Sequence, residues 1–130
     1  MPKIIIDWNQ AKSQCGGDEE LLSEVIEDFM TEAESARIAF ESAMKSKNFL
    51  SVEQEAHKIK GTASYLYCPE LVSVSLKLQE KGHEGVAAEK ADKSGNHAKL
   101  WNDVEQLYNN YMNAFREFKS EVSSKGYSHK

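Results

Sequence analysis

Apolar residues along this chain recur at spacings of three and four, the period of a helix with one buried side. The clearest run is Leu22, Val25, Ile26, Phe29, Ala33, Ala36, Phe40, Ala43 and Met44, which predicts one long helix. Asp18 stands where its N-cap would be, and Lys45-Ser46-Lys47-Asn48 breaks it. Upstream, Asp7 predicts the cap of a short helix that Gly16-Gly17 would stop. A third helix is expected to begin near Ser51, where Ser-Val-Glu-Gln matches a capping box with Gln54 reaching back, and to run to about Tyr67. Pro69 suits the first turn of a fourth, which carries Leu71, Val72, Leu76 and Leu78.

Gly82 is expected to end or weaken that fourth helix, and 82–95 reads as a loop or a frayed extension of it. Asn96 is the candidate cap for the last helix, whose Leu100, Trp101, Val104, Leu107, Tyr108, Tyr111, Met112 and Phe115 form a second strong stripe. No strand alternation and no internal repeat stands out. The pattern predicts an all-α fold: an antiparallel four-helix bundle with an additional short N-terminal helix covering one end, as a single domain over residues 1–130. The tail, about 122–130, is expected to be mobile. The aromatic stripes read as core packing.

Composition narrows this only slightly. A 130-residue chain can bury a core without disulfide or metal staples. A formal charge of −5 argues against nucleic acid as a partner. No apolar run is long enough to span a bilayer, and Lys3-Ile4-Ile5-Ile6 is too short for a signal-peptide core, so no membrane partner is expected. The two cysteines, Cys15 and Cys68, share no close spacing, which favours a reduced intracellular setting over a single disulfide. Cytoplasm is the expected location, with nuclear entry by diffusion if the source is eukaryotic. The starting Met and polar tail favour a free-standing chain.

Chemistry enters at Ala56-His57-Lys58-Ile59-Lys60-Gly61-Thr62-Ala63-Ser64. On a wheel at about 100° per residue, Val52, Ala56, Ile59, Ala63 and Leu66 share one side, which must face the core. His57 falls on the other, together with Glu53, Gln54, Lys60, Gly61 and Ser64. A glycine costs a helix about 1 kcal/mol relative to alanine. Residues at i and i+4 stack on one face, so Gly61 clears the approach to the imidazole for something large. An exposed imidazole near neutral pH is largely unprotonated and can act as a nucleophile. With Lys60 beside it for an anion, the arrangement suggests a phosphoryl carrier.

Ala56-His57-Lys58-Ile59-Lys60-Gly61-Thr62 resembles the A-H-x-[LI]-K-G-[ST] signature of histidine-containing phosphotransfer (HPt) domains, and the resemblance extends over roughly Ile6 to Glu121. It implies that His57 is phosphorylated on the ring nitrogen farther from the backbone. It further implies that Lys60 steadies the phosphoryl group and Gly61 gives a partner access, while Gln54 or Glu53, one turn earlier, orients the ring. Lys58 would be a partner contact at most. The implied function is a phosphorelay intermediate, not an enzyme and without a kinase activity of its own. It would take a phosphoryl group from the aspartate of one receiver domain and pass it to another. The implied partners are receiver domains of response regulators or hybrid sensor histidine kinases. These supply the acidic pocket and Mg²⁺, so no cofactor is expected on this chain. One departure is Leu66-Tyr67, where many family members read Leu-Gly; another is the long 82–95 stretch.

Two other readings compete with the relay. Glu80-Lys81-Gly82-His83 has the Glu-x-x-His spacing of helical di-iron sites, but no second such pair exists, and no metal site is expected. His83, His97 and His129 read as surface residues. The other rival keeps the fold without the chemistry, as a phosphorylation-independent docking or adaptor bundle in a signalling complex. Retention of His57, Lys60 and Gly61 together argues against it.

Overall fold

The computed structural model describes residues 3–127. Five helices follow in order: α1 (Trp8–Gln14), α2 (Glu19–Ser46), α3 (Phe49–Tyr65), α4 (Pro69–Ala91) and α5 (Ala98–Ser124), with no strand among the described residues. Helices α2 to α5 form the bundle. Each packs on its chain neighbour and α5 returns to α2, with α3 and α4 in the most intimate contact.

The helix starts show how local chemistry divides the chain. Asp7 caps α1 by accepting from the Gln10 N–H, and Asp18 caps α2 by accepting from the Glu20 and Leu21 N–H groups. Gly16 and Gly17 take positive φ between them, the conformation that ends α1. Lys47 adopts the left-handed conformation that closes α2.

The start of α3 corrects the expected capping box. Asn48, not Ser51, is the N-cap, and its side chain accepts from the Ser51 N–H at 3.1 Å. The helix therefore begins at Phe49, whose buried ring stacks on Trp101 at 3.9 Å. The start of α5 is shifted by one residue: His97 occupies the cap position, while Asn96 still accepts from the Ala98 N–H at 3.1 Å.

The larger correction concerns α4. It does not end at Gly82 but runs to Ala91, leaving only 92–97 as connection. Gly82 and Gly85 are both buried. A Cβ on Gly82 would lie 2.6 Å from the backbone nitrogen of Glu53, and one on Gly85 would run into the Phe49 ring. The glycines lower helix propensity, yet they let the α3 backbone approach, and the dispersion and burial gained there hold the helix together.

The core fills as the stripes predict. Phe29 packs edge-on against Phe115 and Phe118, and Phe40 against Tyr108 and Tyr111. The buried Tyr111 hydroxyl donates to the Ala33 carbonyl at 3.1 Å, as a buried phenol requires. The Tyr108 hydroxyl donates to Glu41; burial first, and that carboxylate second, hold the phenol well above its usual range.

At the far end α1 does cover the bundle. The expected mobile tail is partly wrong there: Tyr127 stacks on Trp8 at 5.4 Å and its hydroxyl donates to Glu19 at 3.2 Å. Residues 128–130, including His129, lie outside the described residues. Cys15 and Cys68 are free and buried, and burial pushes the Cys68 thiol up to about 12, so it stays protonated. No helix is long and apolar enough to cross a membrane, among the described residues.

Candidate functional site: the outer face of α3

Two faces of α3 are set by its sequence. Val52, Ala56, Ile59 and Ala63 are all essentially without exposure, and they anchor one side of the helix in the core. At about 100° per residue the opposite side must then face out. His57, Gly61 and Ser64 are exposed and Lys60 is half-buried. A Cβ built on Gly61 meets nothing within 4 Å, so the surface one turn beyond the histidine is open backbone.

The register between α3 and α4 follows from the two glycines. Glu53 lies opposite Gly82 and Phe49 opposite Gly85, an antiparallel match. The same register puts Gln79 about level with Ala56, and the exposed Leu76 about level with Ile59, both within a turn of His57. Helix α4 thus walls one side of the histidine face.

The charged neighbours of His57 differ in whether they are engaged. Lys58 pairs with Glu55 at 3.6 Å on the side toward α2. Among the described residues Lys60 has no ion-pair partner and the His57 ring no hydrogen bond. A cation without a partner one turn from an exposed imidazole can meet an arriving anion.

The two residues considered for orienting the ring do not reach it. The Glu53 carboxylate lies 3.0 Å from Nδ1 of His83 on α4. Gln54 lines a hollow between α2 and α3 with Ala39, Ser42 and Ser51. Neither bonds to His57 in this structure. The Glu53 carboxylate is drawn sideways to α4, a pull that a single-helix wheel does not contain.

One polar pair escaped sequence reasoning. Ser75 and Gln79, one turn apart on α4, have their Oγ and Oε1 atoms buried without a hydrogen-bond partner among the described residues. The sequence carries it as a polar i, i+4 pair on α4. The other two histidines among the described residues serve locally: His83 pairs with Glu53, and Nε2 of His97 sits 3.0 Å from the Asp92 carbonyl. No group of three or more metal-ligating side chains converges among the described residues.

This bundle, with its histidine face, matches the family model for the Hpt domain over residues 21–117, about three quarters of the chain. The chain belongs to that family. It is a histidine phosphotransfer domain of two-component signalling, of a family that carries phosphoryl groups and works with receiver domains. No curated protein and no solved structure gave a match.

Proposed function

We propose that this chain is a relay intermediate whose phosphoacceptor is His57. The observation that supports the reading most is the outward placement of that imidazole beside bare backbone at Gly61, with the core fixed on the opposite side of the same helix. In the forward step a lone pair on the outer ring nitrogen attacks the phosphorus of a receiver's aspartyl phosphate. The bond from phosphorus to the carboxylate oxygen breaks, and the carboxylate leaves with that electron pair. In the second step the phosphohistidine is the donor and an aspartate of another receiver the nucleophile.

Transfer of this kind depends mainly on in-line positioning and charge neutralisation. Lys60 provides a cation for the phosphoryl oxygens. Gly61 leaves room for the receiver surface, and the receivers bring Mg²⁺ in their acidic pockets. On this reading the chain needs no cofactor of its own and has no kinase activity.

The reading is tested with two receivers. Incubation with a phosphorylated receiver and Mg²⁺ is expected to give an acid-labile, alkali-stable label on this chain. Addition of a second, unphosphorylated receiver should then move the label onward. A label that enters but never leaves for any receiver would reduce the chain to a sink, and a chain that takes none from any receiver would leave the adaptor alternative standing.

A further inference from the structure

Tyr67 stands where α3 gives way to α4, in left-handed backbone with φ 55°. The turn itself needs that geometry. The Cys68 N–H donates to the Ala63 carbonyl at 3.0 Å and the Tyr67 N–H to the Ser64 carbonyl at 3.1 Å, the closing bonds of a helix that ends through a left-handed residue. Glycine fits there without strain; a side chain with a Cβ costs about 1–2 kcal/mol. The Tyr67 carbonyl accepts from the Asp7 N–H at 2.9 Å, a bond that any residue could make. What tyrosine adds is therefore its side chain, held in an unfavourable backbone.

That side chain is not used up inside the protein. It is 38% exposed, and its hydroxyl has no hydrogen-bond partner among the described residues. With Ile4, Ser64, Pro69 and Val72 it lines a shallow, mainly apolar hollow of about 470 Å³. Ile4 is itself 58% exposed, an apolar side chain left facing water.

The hollow is continuous with the histidine face. Ser64 lines it and stands on the same ridge as His57 and Gly61. Leu76 on α4, one turn after Val72, which lines the hollow, is a further exposed apolar side chain. A standard protein interface covers about 800 Å² per partner, a disc of about 16 Å radius. From His57 to Tyr67 is roughly 15 Å at about 1.5 Å per residue. A protein domain centred on the imidazole therefore reaches the hollow, and a partner that avoided it would have to dock off-centre.

We propose that Tyr67 and its hollow are a receiver-docking pocket, taking an apolar side chain that the receiver domain projects beside its acidic phosphorylation pocket. Tyr67 is thus a specificity-determining residue, strengthening the encounter with receivers that carry such a side chain. This rests on His57 being the phosphoacceptor and adds the determinant of which receivers are served.

The test is Tyr67→Gly, which suits the left-handed backbone, with Tyr67→Phe as the variant that keeps the ring. Both are assayed below their melting temperatures against a phosphorylated receiver and, separately, with phosphoramidate, a small donor that needs no docking surface. Tyr67→Gly is expected to raise the KM for the receiver about fivefold or more, roughly 1 kcal/mol, with kcat and phosphoramidate labelling close to wild type. Tyr67→Phe should keep the wild-type KM. A KM for Tyr67→Gly within twofold of wild type for every receiver tried would overturn the pocket and leave the relay intact. Failure of the relay reading shows differently: the wild-type chain would take no label from any receiver, or His57→Gln would still take it, and the pocket falls with it.

Discussion

Gly82 and Gly85 on α4 and Gly61 on α3 lie on helices that touch, and each weakens its helix by the same intrinsic amount. Their surroundings are opposite. The α4 pair faces inward against the Glu53 backbone and the Phe49 ring, with no space for one more carbon, while Gly61 faces outward with nothing within 4 Å. The first two are explained by the fold, because a side chain there would separate α3 from α4. The third is not, since nothing inside the molecule requires a glycine at that point. An unexplained glycine on an outer helix face, one turn after a histidine, is where a partner's surface is the natural explanation.

Substitution separates these cases. The largest effect is expected at Gly85→Ala, where the new methyl meets a ring already clamped against Trp101; overpacking of this kind costs about 3 kcal/mol. Gly82→Ala, which meets backbone instead of ring, should also lower the melting temperature. Thermal denaturation followed by circular dichroism checks both, and a Gly85→Ala variant that melts with the wild type would break the close-packing explanation of α4.

Gly61→Ala should go the other way, stabilising the helix by about 1 kcal/mol. Gly61→Gln should also keep the fold, yet receiver-dependent transfer should fall about tenfold or more, roughly 1.4 kcal/mol in the encounter. If Gly61→Gln transferred at the wild-type rate, the open notch would have no part in function.

The smallest expected effect comes from the buried side of α4. Ser75→Ala removes a buried hydroxyl that has no partner and replaces it with the best helix former. Stability should be unchanged or should rise by about 1 kcal/mol, read from urea unfolding. A marked loss would mean that the hydroxyl helps hold α4 in the bundle.

These contrasts also mark where reading the sequence works. Stripes at spacings of three and four located α2 and α5, because burial of one side leaves a periodic trace whatever the partner is. The same logic placed His57 on the outer side of α3: four core positions on one helix determine the direction of every other side chain. It failed where the deciding contact belongs to another helix. Gly82 and Gly85 look like breakers until Glu53 and Phe49 are seen against them. Glu53 looks free to orient the ring until His83 is seen to hold its carboxylate. Tyr127 looks like loose tail because its partner, Trp8, is at the other end of the chain. The strain at Tyr67 is invisible in sequence for a related reason, since φ at a turn depends on how the next helix must leave.

Local signals also compete. Asn48 and Ser51 are both good caps, and the choice went to the residue that lets Phe49 enter the helix and reach the Trp101 ring. Burial of an aromatic outweighs the small difference between two capping side chains.

The central claim concerns a single atom on α3, and locating the phosphoryl group tests it most directly. The chain is phosphorylated by a receiver with Mg²⁺, digested under alkaline conditions that preserve phosphohistidine, and mapped by mass spectrometry. The account predicts phosphate on the peptide containing His57, and none anywhere on His57→Gln with its helical signal intact. Phosphate found on His83 or His97 instead, or persisting in the His57→Gln chain, would contradict it.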